Sequence, residues 1–242
     1  MNEQQAVGPA EDDGGAPVKG PRNPVWGWVR EFLIVVGIAL VLSFVIKTFF
    51  FRAFYIPSGS MEQTLEINDR IFVNLLIPGP FDLHRGDVVV FNDDLGWLGE
   101  TPPTPTNPVT EAMTFVGLLP NTADQHLVKR LIGMPGDTVE CCSEDGRLIV
   151  NGVPITEPYI YPGAAPSEES FKVTVPAGKA WVMGDHRNAS ADSRFHPDIQ
   201  DGFIDMDSIE GKAVLRAWPL DRFGTIDGHH DVFADVPNES GH

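Results

Sequence analysis

The sequence predicts a mainly β domain carried on a single N-terminal transmembrane helix. Three observations point there. One apolar run near the N-terminus is long enough to cross a bilayer, the remainder is punctuated by 24 glycines and 21 prolines, and short Val- and Ile-rich runs lie between them. That punctuation marks strands and turns, not a helical bundle. Of the 242 residues, about 190 remain once the apolar segment and a polar tail are set aside, enough for one good-sized globular unit.

Residues 1–25 are rich in Gly, Pro and charge with no apolar period, so a disordered tail is expected. The anchor follows at 26–52. Its core, Phe32 to Phe51, is broken only by Ser43, Lys47 and Thr48, and a helix of that length spans a hydrocarbon layer of about 30 Å. A cleavable leader is the competing reading. The run lies too deep in the chain and is too long for a leader, and no small-x-small site follows it directly. Lys19, Arg22 and Arg30 precede the span while Lys47 and Arg52 lie at its far end, so the charge rule leans towards a cytoplasmic N-terminus without deciding it.

The outer domain is expected over 53–220. Its strands are read at Asp69 to Leu76, Arg85 to Phe91, His126 to Gly133, Asp137 to Cys141, Arg147 to Gly152, Phe171 to Pro176, Lys179 to Asp185 and Gly211 to Trp218. Residues 92–126 leave this pattern. They carry PPTPTNP and a short apolar patch, MTFVGLLP, too short for a second span, and read as a Pro-rich insertion. The last stretch, 221–242, reads as an acidic C-terminal tail.

A formal net charge of -17, from 17 Lys+Arg against 34 Asp+Glu, would repel a phosphate backbone, which excludes nucleic acid as a partner. The only cysteines are the neighbours Cys141 and Cys142. That spacing suits neither a CxxC metal site nor an ordinary long-loop disulfide, and leaves a vicinal disulfide open. No metal and no cofactor is expected, and the molecule reads as a monomer.

Ile56-Pro57-Ser58-Gly59-Ser60-Met61 holds two serines flanking a glycine. In an extended segment Ser58 and Ser60 share a face, so both hydroxyls address one spot. A serine needs a base before it is a nucleophile. The bland reading makes Ser60-Met61-Glu62-Gln63 a capping box ahead of a short helix, with Ser58 closing a turn. A base is available in His126 to Ile132: in a strand Leu127, Lys129 and Leu131 share one face, so a lysine sits between leucines. Arginine cannot give up its proton at working pH, whereas burial can lower a lysine's pKa by several units. The bland alternative is a snorkelling surface lysine.

The third cluster is Gly184-Asp185-His186-Arg187-Asn188-Ala189-Ser190-Ala191-Asp192-Ser193-Arg194. It reads as a solvated loop or as a pinned polar one, with Asp192 paired to Arg194. A triad of Ser60, His186 and Asp185 is disfavoured because adjacent side chains do not face each other. Asn188-Ala189-Ser190 matches a glycosylation acceptor, a pattern that chance supplies often.

Taken together, IPSGSM, RGDVVVF, HLVKRLIGMPGD and GDHRNASADSR resemble the type I signal peptidases, the membrane-anchored serine/lysine proteases of bacteria, in order and spacing over most of residues 25–220. The insertion is similar to those of high-GC Gram-positive relatives. The resemblance implies a signal-peptidase-like antiparallel β-sheet domain that removes signal peptides from translocated preproteins at Ala-x-Ala sites, at the surface of the cell membrane and on its extracytoplasmic side. It implies Ser60 as nucleophile, Lys129 as general base, Ser190 hydrogen-bonding the lysine amine, and Ser58 with the Ser60 N–H as oxyanion hole. Asp185, Asp192 and Arg194 would be structural support, and Ile56 and Ile132 are candidate pocket walls. His186, Asn188 and Ala189 depart from the family's usual GDNRDNS. A membrane-anchored, non-enzymatic β-domain that binds a partner is the alternative.

Overall fold

The computed structural model describes residues 24–99, 107 and 126–238. Most of the expected N-terminal tail, most of the Pro-rich insertion and the last residues of the expected acidic tail therefore lie outside the described residues.

The chain divides into two units, 1–43 and 44–242. Helix α1, Pro24–Phe49, begins in the first. Its stretch Trp26–Phe49 is long and apolar enough to cross a membrane. The helix stops short of Phe51, which instead opens strand β1, Phe51–Tyr55. The aromatic residues that lengthen the apolar run are also strong strand formers.

The second unit holds two antiparallel sheets. The larger is built from β1, β2 (Arg70–Asn74), β3 (Val88–Asn92), β4 (His126–Gly133), β9 (Lys179–Met183), β10 (Ile204–Asp205) and β11 (Ile209–Trp218), in the order β1-β2-β11-β3-β4-β9-β10, with β12 (Gly224–Thr225) added beside β11. The smaller runs β7-β6-β5-β8, from β5 (Thr138–Cys141), β6 (Leu148–Val150), β7 (Val153–Pro154) and β8 (Phe171–Thr174). All eight strand runs read from the sequence form strands. β1, β7, β10 and β12 are not among those runs, being aromatic beside the span or only two residues long.

The side chains of β4 divide among three cores. Leu127 and Leu131 join Val89, Phe91, Val182 and Ile209 on one side, while Val128 packs against Val88, Val90, Ile71 and Met61 on the other. A third core, with Trp181, Val139, Leu148 and Ile132, fills the smaller sheet. Gly133 lets the residues of that core approach β4 closely. A Cβ there would lie 2.8 Å from Val139, 3.0 Å from Val175 and 3.2 Å from Trp181.

The segment beyond residue 220 is no loose tail. Ile226, Phe233 and Val236 are buried, the Asp227 carbonyl accepts from Arg130 and the Pro237 carbonyl from Arg85, so three apolar side chains dock an otherwise acidic stretch onto the domain.

Candidate active site

Ser60 sits where β1 ends and the chain turns. The backbone leaves the strand at Ile56, whose N–H donates to the Asp69 carbonyl at 2.9 Å, and closes a turn in which the Glu62 N–H donates to the Gly59 carbonyl at 3.1 Å. No helix follows. Gln63 adopts φ 85°, a left-handed conformation incompatible with helix continuation, so the expected capping box does not form. Met61 and Leu65 pin the turn into the core.

Lys129 enters from β4 in register with Val89. It is 3% exposed, and its Nζ donates to Ser60 Oγ at 2.9 Å and to the Val128 carbonyl at 3.2 Å. Burial lowers its pKa from 10.5 to about 8, against the partial opposition of the Asp192 and Asp185 charges. The lysine is thus no snorkelling surface cation. A serine hydroxyl hydrogen-bonded to an amine that is readily neutral has the chemistry that a nucleophile and its base require.

The loop after β9 closes the site from the other side and is pinned throughout. Asp192 accepts from the Gly184 N–H at 2.9 Å and from the Arg194 guanidinium at 2.8 and 2.9 Å, and Arg194 donates onward to the Arg187 carbonyl at 2.7 Å. Asp185 does not pair with its neighbour His186. It holds Arg130 bidentately at 2.8 and 2.7 Å and accepts from Thr64 Oγ1 at 2.5 Å. His186 stacks on Tyr161, with ring centroids 3.9 Å apart, so the Ser60–His186–Asp185 triad has no geometry.

Ser190 is brought beside the nucleophile turn: a Cβ on Gly184 would strike both its hydroxyl and the Ser60 carbonyl, so only glycine fits between them. Yet the buried Ser190 Oγ has no hydrogen-bond partner among the described residues and is not engaged with the lysine amine. Ser58 is exposed. Ile56 and Ile132 do not share a wall. Both are buried, Ile56 in the core beneath the turn and Ile132 in that of the smaller sheet.

Sequence reasoning missed several residues. Arg130, Thr64 and Tyr159 complete the Asp185 hub, with the Arg130 guanidinium 4.0 Å above the Tyr159 ring. Arg187 is buried against Glu157 at 2.5 and 3.1 Å and the Gly184 carbonyl at 2.9 Å. Asp87 is fully buried between Lys212 at 2.5 Å and His230 at 2.7 Å. Cys141 and Cys142 are joined as a vicinal disulfide.

The family model "Signal peptidase, peptidase S26" matches residues 27–218. The chain belongs to that family. A signal peptidase I of Mycobacterium tuberculosis is 37% identical over 89% of this chain and 81% of its own. One from Leptolyngbya laminosa is 34% identical over 90% of this chain and 96% of its own, and signal peptidase I P of Bacillus subtilis subsp. natto 32% over 84% and 95%. Among solved structures, a signal peptidase I of Enterococcus faecalis aligns with 54% of this chain and 95% of its own, at 27% identity and a TM-score of 0.35. The molecule is a serine endopeptidase that removes signal peptides. The alternative of a non-enzymatic binding domain falls with that membership.

Proposed function

We propose that this signal peptidase works through a Ser60/Lys129 dyad, from a domain held outside the cytoplasmic membrane by one span with its N-terminus inside. The observation that carries the dyad is the buried 2.9 Å contact between Lys129 Nζ and Ser60 Oγ, together with an amine pKa of about 8. Neutral Lys129 takes the Ser60 proton as Oγ attacks the carbonyl carbon of the scissile bond. The tetrahedral oxyanion is held by the Ser60 N–H and by the Ser58 hydroxyl, which turns to it from solvent, each donor contributing about 3 to 4 kcal/mol. Protonated Lys129 gives its proton to the leaving amine. Water then attacks the acyl-enzyme with the lysine again as base, and Ser190, buried next to the turn, accepts from the amine as it moves.

An extended preprotein has a place to lie. β9 pairs with β4 from Arg130 onward, and a substrate strand can add beside β4 ahead of that point, along Leu127 to Lys129. Small residues at the first and third positions before the cut let its backbone approach the serine. In this reading residues 1–25 form a cytoplasmic tail, 26–52 the anchor and 53–220 the catalytic domain, with 92–126 inserted and 221–242 appended. The molecule acts alone and without a metal.

The test is cleavage of a preprotein bearing an Ala-x-Ala site by the detergent-solubilised full chain from about pH 6 to 10. Wild type should cut with an acid limb near pH 8, and Ser60→Ala and Lys129→Ala should not cut. Full activity in Lys129→Ala would place the base elsewhere.

A further inference from the structure

The nucleophile turn is gripped by a residue whose side chain has no place in the dyad chemistry. The backbone N–H of His186 donates to the Ser60 carbonyl at 3.1 Å. Its ring Nδ1 lies 3.3 Å from the Gly59 carbonyl oxygen and 2.8 Å from a Glu62 carboxylate oxygen. Both neighbours of Nδ1 accept hydrogen bonds and neither donates, so Nδ1 carries a hydrogen. The ring is not free to leave: it lies nearly parallel to Tyr161, at 16°, and the Tyr161 N–H donates to the Asp185 carbonyl at 3.0 Å. The same Glu62 carboxylate that meets Nδ1 covers Gly59 so closely that a Cβ there would sit 2.7 Å from Oε1.

The Gly59 carbonyl and the Ser60 N–H belong to one planar peptide unit. A donor that fixes the carbonyl therefore fixes the direction of the N–H on the opposite edge, and drawing electron density to the carbonyl oxygen makes that N–H a stronger donor. A rotated peptide would present a different edge to the oxyanion. We infer that His186 is the positioning residue of the oxyanion hole, its Nδ1–H holding the Gly59–Ser60 peptide so that the Ser60 N–H is aimed at the oxygen on which charge develops. This rests on the assignment of Ser60 as nucleophile. Because the oxyanion exists only in the transition state, the contribution falls on kcat and not on substrate affinity.

The test compares His186→Ala, His186→Asn and His186→Gln in the full-length, detergent-solubilised peptidase on an Ala-x-Ala preprotein, with Ser60→Ala alongside and thermal unfolding of each protein. The Asn amide nitrogen stands at the same branch position as Nδ1, whereas that of Gln stands one bond further out. His186→Ala and His186→Gln should lose about 10- to 100-fold in kcat with KM within about threefold, the range in which misplacement of reacting groups by about 1 Å is felt. His186→Asn should recover most of that loss. The inference is overturned if kcat in His186→Ala stays within about twofold of wild type, if Asn rescues no better than Gln, or if the whole loss appears in KM. Should His186→Ala fail to fold, the Asn and Gln variants decide between themselves. Activity remaining in Ser60→Ala would overturn the nucleophile assignment, whereas an inert Ser60→Ala with unaffected His186 variants would overturn only the role of His186.

Discussion

Lys129 and Arg130 are neighbours on β4, both almost wholly buried, yet they point to opposite faces and meet opposite fates. Arg130 is surrounded: two bonds from Asp185, the Gly86 carbonyl at 2.6 Å, the Asp227 carbonyl at 3.2 Å and the Tyr159 ring. Burial opposes its charge, but Asp185 more than offsets that and its pKa rises. Lys129 has one hydroxyl and one carbonyl, and its pKa falls to about 8. Burial alone does not make a base. What separates a structural cation from one poised to give up its proton is whether a carboxylate is allowed within hydrogen-bonding reach.

The largest effect should come from erasing the difference at residue 129. Lys129→Arg keeps a buried cation but installs one that cannot release its proton, so kcat/KM should fall about 10⁴-fold, the upper range for a lost general base, and no rise in pH should restore it. Recovery at pH 9 to 10 would show that another group takes the Ser60 proton. On the other face, Arg130→Leu leaves Asp185 charged, buried and unpaired, a change that costs about 3–5 kcal/mol. Chemical denaturation would read it directly, and a loss below about 1 kcal/mol would mean that the hub tolerates the vacant charge.

Lys129→Met should do the reverse and stabilise the fold while abolishing cleavage. The unfolded lysine holds its proton up to about 10.5 and the folded one only up to about 8. Below pH 8 both are charged and the folded protein bears the full cost of the buried cation. Between 8 and 10.5 the folded amine is already neutral, so wild-type stability climbs with pH. The variant's advantage, about 1–3 kcal/mol near pH 7, should therefore shrink as pH rises through that window. An advantage independent of pH would mean that packing, not charge, is what methionine improves.

The same pair of neighbours separates what the sequence makes legible from what it hides. Alternation along HLVKRLIG is local, so it is enough by itself to set Lys129 among leucines and Arg130 on the opposite face. The partner of Arg130 is not local: Asp185 lies 55 residues away, as Glu157 lies 30 from Arg187, and a chain of charges does not reveal which pairs will meet. The extended face expected to carry both Ser58 and Ser60 does not form, since the chain turns there and leaves Ser58 exposed and Ser60 buried, and the capping box fails at the left-handed backbone of Gln63, which the residue types do not announce. Ile56 and Ile132 look like pocket walls because apolar residues beside a nucleophile fit that role equally well. Their burial, at 2% and 0% exposure, is set by distant parts of the chain that the residue types do not announce. The segment after 220 hides its docking residues Ile226, Phe233 and Val236 among acids, where three apolar side chains are too sparse to show a period.

The finest adjustment of the contrast should come through Asp192. Of the two carboxylates that raise the lysine's pKa it contributes the more, ahead of Asp185, although it does not bond the amine and spends its oxygens on Gly184 and Arg194. Asp192→Asn removes the charge while keeping one oxygen for the Gly184 N–H, and Arg194 retains the Arg187 carbonyl. With less negative potential at Nζ the protonated amine is less favoured, so the folded pKa drops further below 8 and the neutral base becomes available at lower pH. The acid limb of kcat/KM should therefore move down, in a pH profile run beside wild type at fixed ionic strength. A limb that moves up, or stays where it was, would mean that Asp192 acts on the site only by holding the loop, and that the poise of Lys129 is set by burial alone.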